Sequence, residues 1–532
     1  MTIPYSFPDI DSMPDIPALP IPDYGELSAS FRAALLDPAN EIYRLNQNGH
    51  PNFGAYIGSP SNEFVTLGIL ILGEWLAGRD TEWISRAFRG FFSEEHGIFL
   101  NSPNSHRTEY WYLFYVNSLA GAVAKHVFDG GSSNNVGGGS GVGSGISAEM
   151  DMVRRSARTM QKMAEFVSYS FNAQGFDFAS FAPWTRKDIY RQPDSIAGYA
   201  YNMLFAALNC RAPELLEQSK KAVALYTGFN ANPWYEIPNG SAGLYAAAWL
   251  NAHGSPQDVK KAAAWIFDHD AGPLQTGMWG NETIDGLIMG WRGDTRQYAL
   301  DAAYSMESLM PLQFMLPAAK YCPELCWPVA KFARNLLSSF QLFYAKGKDT
   351  LHETKPDLCP AIPYEKLERV RDGHSPAACG DFHGHRSVYG AGYMPWVDAI
   401  ARKTGENRAP AFDLSLTDWP AAKRYPLFLL CNPYDYPIKA AFTPAPSWRL
   451  LAPDLYPSGS LSATLWDLGS ARQTGIATGS VSYDLAPQEC LRLALLPRNA
   501  APQATTTAAA TAPQPRTEGR MVTYNGAEIG II

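Results

Sequence analysis

Helical periodicity, returning in segment after segment from about residue 26 to 345, most limits what this chain can become. Apolar residues recur every three or four positions near 28–46, 61–78, 80–92, 108–127, 147–170, 194–210, 213–227, 241–253, 256–269, 297–319 and 323–345, and again at 394–403. That spacing puts one apolar face on a helix. Pro193-Asp194, Pro213, Pro256 and Pro323 stand at helix starts, where proline's fixed φ suits a first turn that does not need its missing N–H. Gly228 and Gly254 stand at helix ends, where glycine turns left-handed without strain. About twelve helices with short connections predict roughly six antiparallel pairs.

After about residue 406 the period changes. Tyr425–Asp435, Ile438–Phe442, Trp448–Ala452, Ser462–Leu468 and Cys490–Pro497 are short runs separated by Pro, Gly, Ser and Asn, as in an antiparallel sandwich. Residues 1–24, rich in Pro and Asp, read as an extended arm, and the Gly/Ser run at 129–145 reads as a flexible loop. The Ala/Thr/Pro/Gln composition after Ala500 reads as a disordered tail. The expected order is an arm (1–24), a helical domain (25–405), a β-sandwich domain (406–499) and a tail (500–532).

A chain of 532 residues exceeds one typical core, and 46% apolar with 18% charged residues is globular material. A net charge of −8 argues against nucleic acid or an anionic membrane as partner. The N-terminus has no basic segment leading into an apolar one, so no secretory signal is expected. The most apolar run, Phe64–Leu72, is too short to span a bilayer. Seven cysteines without a CxxC pair predict free thiols in a reducing, cytoplasmic setting. The glycines from Gly137 to Gly145 lack the Lys-Ser/Thr of a phosphate loop, and no Gly-x-Ser-x-Gly elbow follows a strand. No cofactor is expected, the partner is a small-molecule substrate, and the oligomeric state is left open.

Chemistry concentrates first in Asn104–Asn117, which packs His106, Arg107, Glu109 and the rings of Tyr110, Trp111, Tyr112, Phe114 and Tyr115 into one helix start. Thr108 is expected to cap that helix, with Glu109 in its first turn and Tyr112 on the same face. Further carboxylates with acid–base potential are Asp194, which also suits an N-cap, Glu236 after Trp234 and Tyr235, and Asp285 in a glycine-bearing loop near Trp279 and Trp291. His106 joins these as a proton carrier, since imidazole titrates near neutrality. Tyr235, Tyr298, Tyr304 and Tyr389 can exchange protons or contact substrate, as can His383 and His385 in Asp381–His385. That histidine pair lacks a full ligand set, so no metal is expected.

Tyr110-Trp111-Tyr112, Pro193–Gly198, Asn232–Glu236, Trp279–Asp285, Val388–Gly392, Leu427–Leu430 and Asn432–Tyr434 together resemble (α/α)6-toroid proteins with a C-terminal β-sandwich. These are related to glycoside hydrolases and polysaccharide lyases. A fainter similarity, through Glu236-Ile-Pro-Asn239, is to linalool dehydratase/isomerase, whose paired cysteines have no counterpart here. The resemblance implies a mainly α toroid of six helical hairpins carrying a small antiparallel β domain. It also implies a site where helix starts meet at one mouth, and catalysis by paired carboxylates. The expected function is cofactor-independent acid–base catalysis on a sugar or glycoside-like substrate, by hydrolysis or elimination. The alternatives are an isomerase, dehydratase or cyclase acting on a terpenoid or polyketide, and a non-catalytic sugar-binding protein.

Overall fold

The helices fall into two kinds, separated by how much of each is buried. The computed structural model describes residues 3–129, 146–293, 301–344, 361–369, 377–378, 386–498, 500, 502–506 and 520–531. The helices are α1 (Pro8–Ser12), α2 (Tyr24–Leu36), α3 (Phe64–Leu76), α4 (Glu82–Ser85), α5 (Tyr110–Val123), α6 (Ala148–Phe166), α7 (Ser195–Asn209) and α8 (Leu215–Thr227). They continue with α9 (Ile237–Ala252), α10 (Val259–Ala264), α11 (Ser305–Leu309), α12 (Leu312–Tyr321), α13 (Cys326–Ser339), α14 (Val388–Gly392) and α15 (Met394–Ile400). Every residue of α3 and α12 is buried, and nearly every one of α5 and α9. A helix apolar all round has to lie inside the molecule. By contrast α8 buries only Leu215, Ser219, Ala222, Val223 and Tyr226, a single stripe.

The buried helices contact one another in a cyclic order. α3 packs on α5, α5 on α7, α7 on α9, α9 on α12, and α11, which leads into α12, on α14, which returns to α3. This order is consistent with the expected toroid. Of the helices outside it, α2 lies on α15, α6 and α8 on α7, α10 on α9, and α13 on α12.

Several boundaries differ from expectation. The first helix stops at Leu36, because the next residue, Asp37, precedes a proline and is held extended. Beyond it Tyr43–Leu45 and Pro51–Phe53 form a hairpin. The ninth helix starts at Ile237, earlier than 241, with Pro238 in its first turn. Trp448–Leu451 is a helical turn, not a strand. The N-terminal arm is not simply extended: Phe7, Ile10 and Met13 are buried around α1. The Asn335 side chain donates to Pro14 O (2.9 Å) and Ser338 to Leu19 O (2.6 Å), fastening the arm to α13.

Antiparallel strands form the C-terminal part. The order across the main sheet is 401–402, 411–413, 427–431, 490–497, 462–467 and 472–478. A separate pair, 438–442 with 481–485, meets it where the Phe428 and Phe442 rings lie 4.6 Å apart. Cys431 and Cys490 face each other across neighbouring strands, Cα atoms 4.1 Å apart, and form a disulfide. This corrects the expectation that all thiols are free, while Cys210, Cys322 and Cys326 are buried free thiols. The disordered tail is corrected in part: Arg520–Tyr524 and Ala527–Ile531 form a hairpin whose Asn525 and Gly526 both have positive φ. That is the turn an Asn-Gly pair favours, and burial of Met521, Val522 and Ile529 holds it down. No helix among the described residues is long and apolar enough to cross a membrane.

A buried ionic network joins the strand region to the far ends of the ring helices. Lys320 Nζ lies 2.6 Å from Asp418 Oδ2 with both side chains fully buried, and Tyr245 and Tyr321 donate to the same carboxylate (2.5 and 2.8 Å). Lys125 donates to the carbonyls of Trp419, Pro420 and Ala421 at 2.9, 3.1 and 2.6 Å. Removing one partner of a buried pair strands the other charge. Lys320→Met is therefore expected to lower stability by about 3–5 kcal/mol in urea unfolding, and a loss below about 1 kcal/mol would contradict this account.

Candidate active site

Glu63, Glu109, Asp194 and Glu236 stand immediately before α3, α5, α7 and α9. Glu307 lies in the first turn of α11 and Tyr389 in that of α14. Helix starts present unpaired N–H groups and a partial positive charge, so carboxylates are favoured there. None of those four carboxylates caps its own helix. Glu63, Glu109 and Asp194 accept from groups outside their own helices' first turns, and the cyclic packing brings the starts together. Thr108, the expected cap of α5, lies in the strand Arg107–Glu109 and donates instead to Glu109 O (3.2 Å).

Glu109 ends that strand, which pairs with Gly175–Asp177. A Cβ on residue 175 would sit 2.0 Å from Thr108 O, so only glycine permits the approach. The Glu109 oxygens accept from the side-chain amides of Gln174 and Gln192, each at 2.9 Å. Burial raises its pKa, while the two amides and the charge of Arg186 pull it back down.

Asp194 accepts through Oδ2 from the backbone N–H groups of Tyr235 (3.0 Å) and Glu236 (3.3 Å), fixing the turn that leads into α9. Its Oδ1 has no hydrogen-bond partner, and burial pushes its pKa up to about 7. Glu236 is 7% exposed, bridges to Trp291 through the backbone, and leaves Oε2 unpartnered. Burial, then the charges of Glu307, Glu109, Asp194 and Glu365, raises its pKa well above the usual carboxyl range. That shift favours the protonated, uncharged form of Glu236.

Glu307, 5% exposed, also leaves Oε2 unpartnered, and burial together with the Glu365 charge raises its pKa well above the ordinary value. Glu365 accepts from the Tyr389 hydroxyl (2.9 Å) and from Ser305 (3.2 Å), and burial pushes it up to about 7. The Tyr389 hydroxyl also lies 3.1 Å from that of Tyr56. Tyr112, half-buried, feels the charges of Glu63, Glu236 and Glu109. The Trp291 ring lies 5.6 Å from Tyr190 and 6.3 Å from Tyr235. Elsewhere in the ring the Tyr115 and Tyr393 hydroxyls bond each other, and Gln313 donates to Tyr115 (2.8 Å).

Of the residues singled out in the sequence, Glu109, Asp194, Glu236, Tyr112, Tyr235, Trp291 and Tyr389 gather here. Others do not. His106 is exposed and pairs with Asp177 (3.0 Å), and the Arg107 guanidinium stacks 3.8 Å over Trp184. Asp285 accepts from Thr276 and from Gly277 N (2.9 Å), and lines a separate cleft of about 430 Å³ with Pro14, Ile16 and Met278. Trp279 is buried in the apolar core. Tyr298, His383, His385 and most of the 129–145 loop lie outside the described residues. Glu63, Glu307, Glu365, Tyr56, Gln174 and Gln192 were not anticipated. The one local signal was Glu307, a carboxylate just ahead of the apolar helical run Leu309–Leu316. Among the described residues no three His, Cys, Asp or Glu side chains form a metal-holding group.

Neither a family model nor a curated protein matches the chain. Among solved structures it is similar to a D-mannose isomerase (10% identity, 70% of this chain and 98% of that one, TM-score 0.40). It is likewise similar to a sugar epimerase from a ruminal bacterium (10%, 70% and 98%, TM-score 0.41). A third is a GH127 β-L-arabinofuranosidase from Geobacillus stearothermophilus T6 (10%, 94% and 80%, TM-score 0.30).

Asp194 is held protonated up to about pH 7 in the fold, whereas an unfolded aspartate ionises near pH 4. Between these values the native state binds more protons, so stability falls as pH rises. Urea unfolding at pH 4.5 and 7.5 should show that fall, and a smaller one in Asp194→Asn, whose amide oxygen still accepts from Tyr235 and Glu236. An equal fall in both proteins would mean that Asp194 is ionised throughout.

Proposed function

We propose that this protein is an enzyme that works by general acid–base catalysis on a small, polar, ring-bearing molecule of the sugar class. Glu236 is the proton donor and Glu109 the ionised partner. The observation that carries the reading is the Glu236 Oε2 atom, buried and without a hydrogen-bond partner. A buried polar atom left unpaired costs about 1–3 kcal/mol. A cluster that bears this cost has an atom available for a group supplied from outside. Glu109 differs in degree: burial raises its pKa as well, but its two amide donors and Arg186 oppose that rise by favouring the charged form. Two carboxyls whose surroundings separate their pKa values are what proton transfer to and from one substrate requires.

The cyclic contact order is the closure an (α/α)6 toroid needs, and such a ring presents its helix starts at one mouth. Amides and carboxyls match the hydroxyl rim of a sugar, and the faces of Tyr112, Tyr235 and Trp291 match its apolar faces. This polar lining suits a hydroxylated ring better than a terpenoid chain. A neutral acid beside a base serves hydrolysis, elimination and isomerisation alike, so the reading stays at acid–base chemistry on that substrate class. Asp194 acts as a positioning residue, through the backbone it holds.

The test is turnover of a panel of free sugars and aryl glycosides followed by NMR. Glu236→Gln and Glu109→Gln should each lower the rate on the order of 10² or more, while His106→Ala and Asp285→Asn leave it unchanged. Full turnover by Glu236→Gln would end this proposal.

A further inference from the structure

The residues around Glu236 include more carboxyl groups than one acid–base pair needs. Arg186 acts on Glu109 and Arg292 on Asp194. The Glu307–Glu365 end is different. Glu307 and Glu365 are 5% and 1% exposed, the Glu307 Oε2 atom is unpartnered, and Glu63 adds its charge to Glu365. Among the described residues, two cations near Glu365 in sequence or space make the following contacts. Lys366 pairs with Glu368 and lies over the Tyr304 ring at 5.5 Å. Arg386 stacks 3.7 Å over Tyr364 and donates to Ile362 O (2.8 Å). Aromatic rings adjoin the carboxyls: the Tyr389 hydroxyl donates to Glu365 (2.9 Å), and the Tyr56 ring lies 5.6 Å from that of Tyr389. Carboxyls flanked by aromatic rings are the surroundings that hold an organic ammonium ion.

We propose that the Glu307–Glu365 end of the cluster binds a positively charged group of the ligand, a protonated amine or quaternary ammonium on a small hydroxylated molecule. This rests on reading the cluster as a ligand site, and not on its catalysing a reaction. A bound cation favours the ionised carboxyls, so its binding releases protons that are otherwise held there. A metal ion is a poorer fit, because the described residues offer no three-ligand group.

The experiment is isothermal titration calorimetry of the full chain at pH 7.5 and constant ionic strength, in two buffers of different ionisation heat. Tetramethylammonium is compared with tert-butanol, and glucosamine with glucose. The cationic probes should bind at least tenfold more tightly than the neutral ones, with a heat that depends on the buffer. Glu307→Gln and Glu365→Gln should each remove most of that difference. Equal binding of charged and neutral probes, absence of ammonium binding, or ammonium binding unaltered in both variants would overturn the proposal. Should a variant fail to fold, the wild-type comparison of tetramethylammonium with tert-butanol still decides. If only the neutral sugar binds while Glu236→Gln abolishes turnover, the cation site falls and the acid–base reading stands. If ammonium binds but Glu236→Gln turns over normally, the reverse holds.

Discussion

The structure turns on carboxylates placed where buried helices begin. The helix start offers partial positive charge, which makes an acidic residue acceptable inside the fold. Cyclic packing then forces these residues toward one another, and burial and mutual repulsion raise their pKa values. Each effect is ordinary by itself. Together they produce Glu236, a carboxyl shifted toward its neutral form with an unpartnered oxygen, and Glu109, in which two amides oppose the effect of burial.

The two ends of the ring contrast in how they handle charge. At the far end Lys320, Asp418, Tyr245 and Tyr321 satisfy one another. That arrangement is a closed network with nothing left to offer a ligand. At the helix starts, Asp194 Oδ1, Glu236 Oε2 and Glu307 Oε2 remain unpaired. The same chain thus pairs its buried charge where it joins the helices to the strand region and leaves carboxyl oxygens without a hydrogen bond where a substrate is proposed to enter.

The helical stretches and the strands 427–431, 438–442, 462–467 and 490–497 were legible because their periods differ, and Asp194 and Glu236 because each precedes a helical pattern beside a proline or aromatic residues. Glu63 was hidden by the apolar run that follows it, which reads as core and directs attention inward. Glu365 lies in no periodic element, and its place beside Tyr389 depends on closing the ring, which no local pattern encodes. Asp285 and His106 looked alike in sequence to the residues that did gather, yet their hydrogen bonds are satisfied locally, by Gly277 and by Asp177. The final hairpin was misread because the composition of 500–519 outweighed Asn525-Gly526, a strong hairpin signal followed by apolar residues.

The central claim is that Glu236 is neutral at neutral pH. Carbon-13 NMR of glutamate labelled at the carboxyl carbon, assigned by loss of one resonance in Glu236→Gln, tests it directly. The account predicts that this resonance keeps the protonated chemical shift through pH 7. A resonance that titrates near the ordinary glutamate value of about 4.3 would contradict it.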